Sequence, residues 1–337
     1  MIDPVNLSLP TVTVVMPTLN EAASIEQSLA AVLKQDYPPE LLEILVVDGG
    51  STDATPALVQ SLAQRHPQIR LLSNPRGITP AALNVGILAA RGDIIVRVDG
   101  HALIEPDYVS QCVRYLVEGK ADNVGGLMRP RGTTYIGQGV ALATTSPFGV
   151  GDSKFHYSAQ EQYVDTVYLG AYWRKTFDQI GLFDETLRIN QDYELNYRLR
   201  QAGGRILLSP AICSTYTPRS SLSALWRQYF RYGQGKVQTL QKHPESLRWR
   251  QAVPPLFVAA FLSAWLGAFF WRPLRRLFGL MAGCYLLANF VASTIGARRG
   301  GWRYGPVLPL IFATIHFAWG LGFWVGLARI FFKPKSR

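Results

Sequence analysis

Acidic residues almost vanish from the second half of this chain. Residues 221–337 hold 16 Lys and Arg but one carboxylate, Glu245, whereas residues 1–220 hold 18 basic and 22 acidic side chains. The overall charge of +11 is therefore a net of −4 followed by a net of +15, two unlike objects joined near residue 220. Cysteine is scarce as well. Cys112, Cys213 and Cys284 are odd in number and far apart, which excludes a disulfide scaffold and a metal-type cysteine spacing and fits a reducing compartment. Charged residues make up 17% against 48% hydrophobic, so the chain is not disordered. No G-x-G-x-x-G turn and no G-x-x-x-x-G-K-[ST] loop is present, which argues against Rossmann dinucleotide and P-loop chemistry. The opening MIDPVNLSLPT lacks a basic region followed by an apolar core, so no cleavable signal is expected and residues 1–220 are expected in the cytoplasm.

A basic second half suits nucleic acid or an anionic membrane surface. Hydrophobicity decides for the membrane. Residues 253–271, 277–297 and 306–332 are apolar runs almost free of charge, each near or above the roughly 20 residues that span a hydrocarbon core. Trp265, Trp271, Trp302, Trp319 and Trp324 stand where interfacial anchors would. The expected organisation is a cytoplasmic domain over 1–220, an amphipathic interfacial helix and linker over 221–250, and a membrane domain over 251–337. Between and after the runs lie Arg272, Arg275 and Arg276, then Arg298, Arg299 and Arg303, then Lys333, Lys335 and Arg337. Three full crossings would place two of these clusters outside, against the positive-inside tendency. The first run, which starts at Pro254-Pro255, is the candidate for a re-entrant or interfacial segment. The expected setting is a bacterial-type inner membrane, multi-pass, with anionic lipids and no nucleic acid as partners.

The first half alternates strands and helices. Residues 11–16 (TVTVVM), 43–48 (EILVVD), 69–72 (IRLL) and 93–98 (DIIVRV) read as strands. Between them, Glu21–Gln35, a segment opened by Thr52-Asp53, and residues 80–90 carry apolar side chains at helical spacing, and a further helix starts at Pro106 and runs to about Glu118. This order implies an α/β fold with a mostly parallel sheet, whose ligands bind at the carboxyl ends of the strands. The polar clusters collect there: Asn20-Glu21, Asp48-Gly49-Gly50-Ser51-Thr52-Asp53, and Asp99-Gly100-His101.

Each cluster has a plain and a functional reading. Asp48 ends a strand before a glycine turn, which suits hydrogen bonds from a base or ribose as well as an ordinary tight turn with Asp53 as a helix cap. Asp99 and His101 suit a shared divalent cation bridging to a diphosphate, or a capped loop with a solvated histidine. In RINQDYELNYRLRQAGG, Asn190 is placed to cap a helix carrying Asp192 and Glu194 in its first turn. The helix dipole favours acids there, and Asp192 equally suits a general base for an acceptor hydroxyl. Residues 222–237 form an amphipathic stretch with Leu222, Leu225, Trp226, Tyr229 and Phe230 on one face and Arg227 and Arg231 off it. It reads as a helix lying on the membrane, with Arg231 free to meet a diphosphate.

Taken in order, PTLNEAASI, VVDGGSTDAT, RVDGHALIEPDYV, GLFDE and NQDYELNYRLRQAGG resemble a family 2 glycosyltransferase with a GT-A domain. SPFGVGDSKFHY (146–157), VDTVYLGAYWR (164–174) and RQYFRYGQGK (227–236) resemble its succinoglycan β-glucosyltransferase-like branch, and the likeness spans about residues 10–240. The resemblance implies donor-nucleotide roles for Pro17, Asn20, Glu21, Asp48 and Asp99. It also implies a metal position at Asp99 and His101 for Mn2+ or Mg2+, and a catalytic base at Asp192. The implied reaction is inverting transfer of a sugar, glucose by analogy, from a UDP-sugar. Three departures stand out: Gly49 replaces a second acid, His101 replaces a carboxylate, and Gln228-Tyr229-Phe230-Arg231-Tyr232 ends in Tyr where processive synthases carry Trp. Gln228, Arg231 and Tyr232 are then expected at the diphosphate or acceptor. With about three apolar runs a polymer channel is not expected, so one sugar is added per encounter. An amphipathic helix and a basic anchor point to a polyprenyl-diphosphate-linked acceptor in exopolysaccharide or envelope glycan synthesis. The rival readings are a processive synthase and a non-enzymatic nucleotide-binding membrane scaffold.

Overall fold

The structure is a computed structural model that describes residues 9–332. In chain order its elements are β1 Val12–Thr18, α1 Ile25–Leu33, β2 Leu42–Asp48, α2 Thr55–Arg65, β3 Ile69–Ser73, α3 Thr79–Ala89, β4 Ile94–Arg97 and β5 Leu103–Ile104. Then come α4 Tyr108–Val117, β6 Asn123–Pro130, α5 Tyr135–Thr144, α6 Pro147–Val150, β7 Gln162–Tyr163, β8 Tyr168–Trp173, α7 Thr176–Ile180, α8 Gln191–Gln201 and β9 Ile206–Tyr216. Four long helices close the chain: α9 Leu222–Lys242, α10 Trp249–Gly267, α11 Arg272–Gly300 and α12 Leu308–Phe331.

The chain divides into two compact units. One runs up to Arg129 and resumes over Ser158–Tyr216; the other joins Pro130–Tyr157 to the residues from Thr217 onward. Segment 130–157, which the sequence reading kept inside the 1–220 domain, thus clusters with the C-terminal helices instead. Its α5 and α6 bury Val140 and Ala143 in one apolar cluster with Leu225, Leu308, Ile311 and Phe312, a partnership that local composition does not reveal.

The first unit is built on one sheet of order β3-β2-β1-β4-β8-β6-β9-β5, with β7 paired to β9. The β3, β2, β1 and β4 side is parallel, and β8 then turns antiparallel to β4. Val12, Val14, Ile44, Val46, Ile94 and Val96 are fully buried, as expected of parallel strands covered on both faces. β1 runs through Pro17 to Thr18 rather than stopping before the proline. Its pairing with β4 ends at Val15, so from there one edge is free and tolerates a residue without an N–H. The helix after Pro106 begins at Tyr108, with Asp107 at its cap position. Gly126 fixes the approach of β6 to β9: a Cβ there would overlap the Ile212 carbonyl.

In the second unit, α9 extends to Lys242, five residues past the expected end. Two helices among the described residues are long and apolar enough to cross a membrane, Arg272–Gly300 and Leu308–Ile330. The first apolar run, 253–271, does not qualify; it lies largely within α10, which carries Pro254 and Pro255 internally. The basic tail residues Lys333, Lys335 and Arg337 lie outside the described residues.

Candidate active site

The parallel strands deliver their polar ends to one place, as the topology requires. Beyond β1, Asn20 takes a left-handed conformation (φ 56°), a region open to Asn at little cost. There its N–H donates to Ser51 Oγ at 2.8 Å and its Oδ1 accepts from the Thr52 N–H at 2.8 Å. Glu21 N–H donates to Thr55 Oγ1 at 2.8 Å, and Ala22 N–H to Asp53 Oδ2 at 3.0 Å. The β1 and β2 loops are thus stitched together. Asp53 closes the turn before α2, whose cap position is Ala54; it accepts from the Thr55 N–H at 2.9 Å, and the Thr55 hydroxyl, followed by backbone donors, holds its carboxyl below the usual range.

Asp48 closes its own turn with one oxygen. Its Oδ2 accepts from the Gly50 and Ser51 N–H groups at 3.0 Å each, while Gly50 sits at φ +84°. Its Oδ1 is buried and has no partner. A buried, unsatisfied carboxylate oxygen is a standing acceptor for a ligand donor.

A cavity of about 160 Å³ opens at these strand ends, lined among others by Pro17, Glu21, Arg97, Asp99, His101 and Gln191. A larger cavity of about 310 Å³ belongs to the second unit and is lined by Gln138, Arg303 and Tyr304 among others, with none of the expected site residues. The expected site residues gather in the smaller one.

At the cavity wall stands a residue that the sequence reading passed over. Arg97, the last residue of β4, is 7% exposed. Its Nε donates to Asp99 Oδ1 at 2.7 Å, and its Nη1 pairs with Asp192 Oδ1. Burial works against the Arg97 charge, but Asp192 and Asp99 more than restore it. For Asp99, burial pushes upward, yet the charge and hydrogen bond of Arg97, then the charge of His101, hold the carboxyl below its usual range. For Asp192, burial raises the value first, Arg97 opposes, and the nearby Asp99 charge adds to the rise. The Asp192 side chain keeps 31% of its surface open, so water screens part of that effect and the direction is what matters. Tyr168 completes the group, its hydroxyl donating to Asp99 Oδ2 at 3.3 Å. The signal for Arg97 was present: a guanidinium inside the apolar run IIVRV is affordable only if paired.

Asp192 lies in the first turn of α8. Asn190 occupies the cap position as expected but does not cap. It adopts φ 63°, makes no side-chain cap bond, and leaves its Nδ2 buried and unpaired. Glu194, the other first-turn acid, is structural: Arg198 donates to its two oxygens at 2.7 and 2.8 Å and also reaches the carbonyls of Ile180 and Leu182. The GLFDE loop is held to α3 in turn. Asn84 Nδ2 donates to Phe183 O at 2.9 Å and to Glu185 Oε1 at 2.8 Å, and its Oδ1 accepts from the Phe183 N–H at 2.9 Å.

Asp99 and His101 do not converge as a cation pair. Arg97 and Tyr168 take the two Asp99 oxygens, while His101 Nδ1 faces Glu21 Oε1 at 2.8 Å. No group of three or more His, Cys, Asp or Glu among the described residues is arranged to hold a metal ion. The side chains as they stand do not fit a divalent cation.

Pro17, Glu21, Asp99 and His101 thus share one cavity, and Arg97 joins Asp192 to it. Asn20 and Asp48 shape the adjoining turn. Gln228, Arg231 and Tyr232 belong to α9 of the second unit, where Gln228 Nε2 donates to Tyr232 Oη at 2.8 Å and Arg231 is exposed.

This sheet, with acidic turns at its parallel strand ends, defines a GT-A domain. Residues 13–180 match the description "Glycosyl transferase family 2". The chain is 32% identical over 313 residues to the succinoglycan biosynthesis protein ExoA of Rhizobium meliloti, covering 92% of this chain and 93% of that one. It is 27% identical over 326 residues to a dolichyl N-acetyl-alpha-D-glucosaminyl phosphate 3-beta-D-2,3-diacetamido-2,3-dideoxy-beta-D-glucuronosyltransferase of Methanococcus voltae, covering 94% and 97%. In fold it is similar to the mannosyltransferase PcManGT of Pyrobaculum calidifontis, solved with GDP-Man and Mn2+, with a TM-score of 0.62 at 24% identity over 92% of this chain and 88% of that one. The chain belongs to glycosyltransferase family 2.

Proposed function

We propose that this glycosyltransferase moves one sugar per encounter from a nucleoside diphosphate sugar to a lipid-linked acceptor, with inversion at the anomeric carbon. The observation that supports this most is the Asp192 carboxylate, open on one side and held through Arg97 beside the strand-end cavity. In the proposed step Asp192 accepts the proton of the acceptor hydroxyl. The freed oxygen attacks the anomeric carbon and forms the new C–O bond. The bond to the nucleoside diphosphate breaks, and its oxygen leaves with the electron pair. Arg97 keeps Asp192 ionised and fixed in direction, which is positioning rather than contact with substrate. The open oxygen of Asp48 is assigned to the donor nucleoside, with Pro17, Asn20 and Glu21 framing the same turn. No step is assigned to a metal ion.

Lipid linkage of the acceptor rests on two supports. The Methanococcus voltae relative is named for a dolichyl-linked sugar phosphate, and two helices of this chain are long and apolar enough for a membrane. A polyprenyl diphosphate places its tail among apolar helices and its anionic head near basic side chains, where Arg231, Gln228 and Tyr232 would receive it. UDP-glucose as donor, exopolysaccharide synthesis as the setting and an inner membrane with the catalytic domain in the cytoplasm complete the reading, the first from the resemblance to the succinoglycan β-glucosyltransferase-like branch and the second by analogy with ExoA.

Nucleotide release tests it. Detergent-purified protein is given a panel of nucleotide sugars with bacterial lipid extract, with and without Mn2+ or Mg2+, beside Asp192→Asn. Release from one donor that needs lipid and is lost in the variant is expected. Equal release by Asp192→Asn removes the mechanism, and a ladder of products on one acceptor removes single addition.

A further inference from the structure

α12 meets the length and composition of a crossing helix, but its neighbours do not suit one. α9 lies along it, parallel and in backbone contact. A Cβ on Gly233 would stand 2.7 Å from the Phe323 nitrogen and would overlap the Trp319 carbonyl; a Cβ on Gly322 would overlap the Phe230 carbonyl. Further along, a Cβ on Gly326 would meet the Gln234 Cα at 3.1 Å and Val237 Cβ at 3.3 Å. Toward the start of α12, Leu225 is buried in one cluster with Leu308, Ile311, Phe312 and Ile315. Glycines thus bring the two helices into close backbone contact over residues 319–326 of α12.

Helices in such contact share one depth in a bilayer, and α9 cannot be immersed. Its exposed polar positions are Ser223, Arg227 and Arg231 toward its start and Gln238 and Gln241 toward its end. The hydrocarbon interior offers such side chains no partner. Trp226, 37% exposed beside it, is a residue of the membrane–water boundary.

Other sides of α12 are covered by protein as well. Phe148 of α6 packs edge-on against Phe312 and His316 at 5.1 and 4.8 Å between ring centroids, and its carbonyl meets His316 Nε2 at 2.7 Å. From α10, the carbonyl of Pro255 accepts from Trp324 Nε1 at 2.8 Å. α11 is the opposite case. Leu280, Leu286, Leu287 and Phe290 are each 65–67% exposed, an apolar surface largely uncovered by the described residues.

We propose that α12 does not cross the membrane. The α9–α12 pair lies in the interface, with the polar positions of α9 toward water, and α11 is the part immersed in hydrocarbon. The turn before α12 and its last residues then sit on one face of the bilayer, which also brings Arg303 and Arg329 to the same side. This holds for any donor or acceptor, so its failure and the failure of the proposed reaction are separate events.

Sidedness of the two ends of α12 decides it. In full-length protein with Cys284→Ala, single cysteines replace Trp302 and Phe332, exposed by 65% and 84%; Cys112 and Cys213 are buried. A membrane-impermeant maleimide is applied to spheroplasts and to inverted vesicles. Both positions should label from the same face with at least a tenfold preference. Labelling from opposite faces overturns the proposal. A protease site inserted after Gly301 and an epitope tag on the C-terminus report the same sidedness without thiol chemistry, and access to the two from opposite faces overturns it equally.

Discussion

Replacing Arg97 by Met would remove the cation shared by Asp99 and Asp192 and leave two carboxylates facing each other at a half-enclosed wall. Removing one partner of a buried ionic group costs about 3–5 kcal/mol, because the remaining charge keeps its desolvation penalty. Asp192 retains 31% of its surface, so solvent trims the loss to about 2–4 kcal/mol. The cheapest response is for one carboxyl to take a proton, and Asp192, already shifted upward by burial and by Asp99, is the one placed to do so. A protonated Asp192 accepts no proton, so kcat should fall by about 10²–10⁴, the usual weight of a general base, while donor binding changes little. Two assays on the detergent-purified protein separate the effects: thermal unfolding, and nucleotide release with kcat and donor KM resolved. Arg97→Lys should recover part of the stability but little of kcat, since a single ammonium cannot fork between two carboxylates. In the double variant Arg97→Met with Asp192→Asn, the unfolding penalty should shrink, because one of the stranded charges is gone. Wild-type kcat in Arg97→Met, or a loss confined to KM, would refute the coupling of Arg97 to the base.

Three further outcomes are expected. Because Asp192 is shifted upward, its proton-accepting form is lost as pH falls through a value above the ordinary Asp range of about 3.9; the acid limb of kcat/KM should lie there and move higher still in Arg97→Met, and a limb that stays put would contradict it. Asp48→Asn keeps the turn geometry but weakens the open acceptor, so donor KM should rise about tenfold, one hydrogen bond's worth, with kcat within a factor of three, as steady-state kinetics would show. Gly126→Ala drives a methyl into the Ile212 carbonyl; because backbone cannot rotate away, a loss of about 2–4 kcal/mol in unfolding is expected, and an unchanged melting temperature would show that β6 and β9 can separate.

Much of the catalytic unit was legible because its chemistry is local. Asp48 and Asp99 stand where buried β-branched runs give way to glycine turns, and a parallel sheet gathers strand ends whatever the intervening helices do. Arg97 was harder: it reads as an interruption of the run IIVRV until Asp192, 95 residues later, is folded against it. The left-handed Asn190 escaped for a related reason, since Asn before an acidic first turn is the usual cap pattern and nothing in the sequence distinguishes a cap from a bend. Segment 130–157 carries no compositional mark of its alliance with the C-terminal helices; Gly139 meeting Ile311 and Val307 is a tertiary fact. The membrane part shows the same limit. Hydropathy found all three apolar runs, but it does not register how much of each helix its neighbours cover.

The bracing between α3 and the GLFDE loop also bears on how this enzyme can change. α3 contributes Thr79 and Ala82 to the cavity wall, and through Asn84 it grips the loop at Phe183 and Glu185. Arg198 ties that same loop to the helix bearing Asp192. The cavity wall and the helix bearing Asp192, the proposed base, are therefore joined by hydrogen bonds through one loop. A substitution in α3 that enlarges the cavity is expected to disturb Asp192 as well. Altered donor preference in this scaffold should consequently arise in pairs, one change in α3 and a compensating one in the 183–198 region.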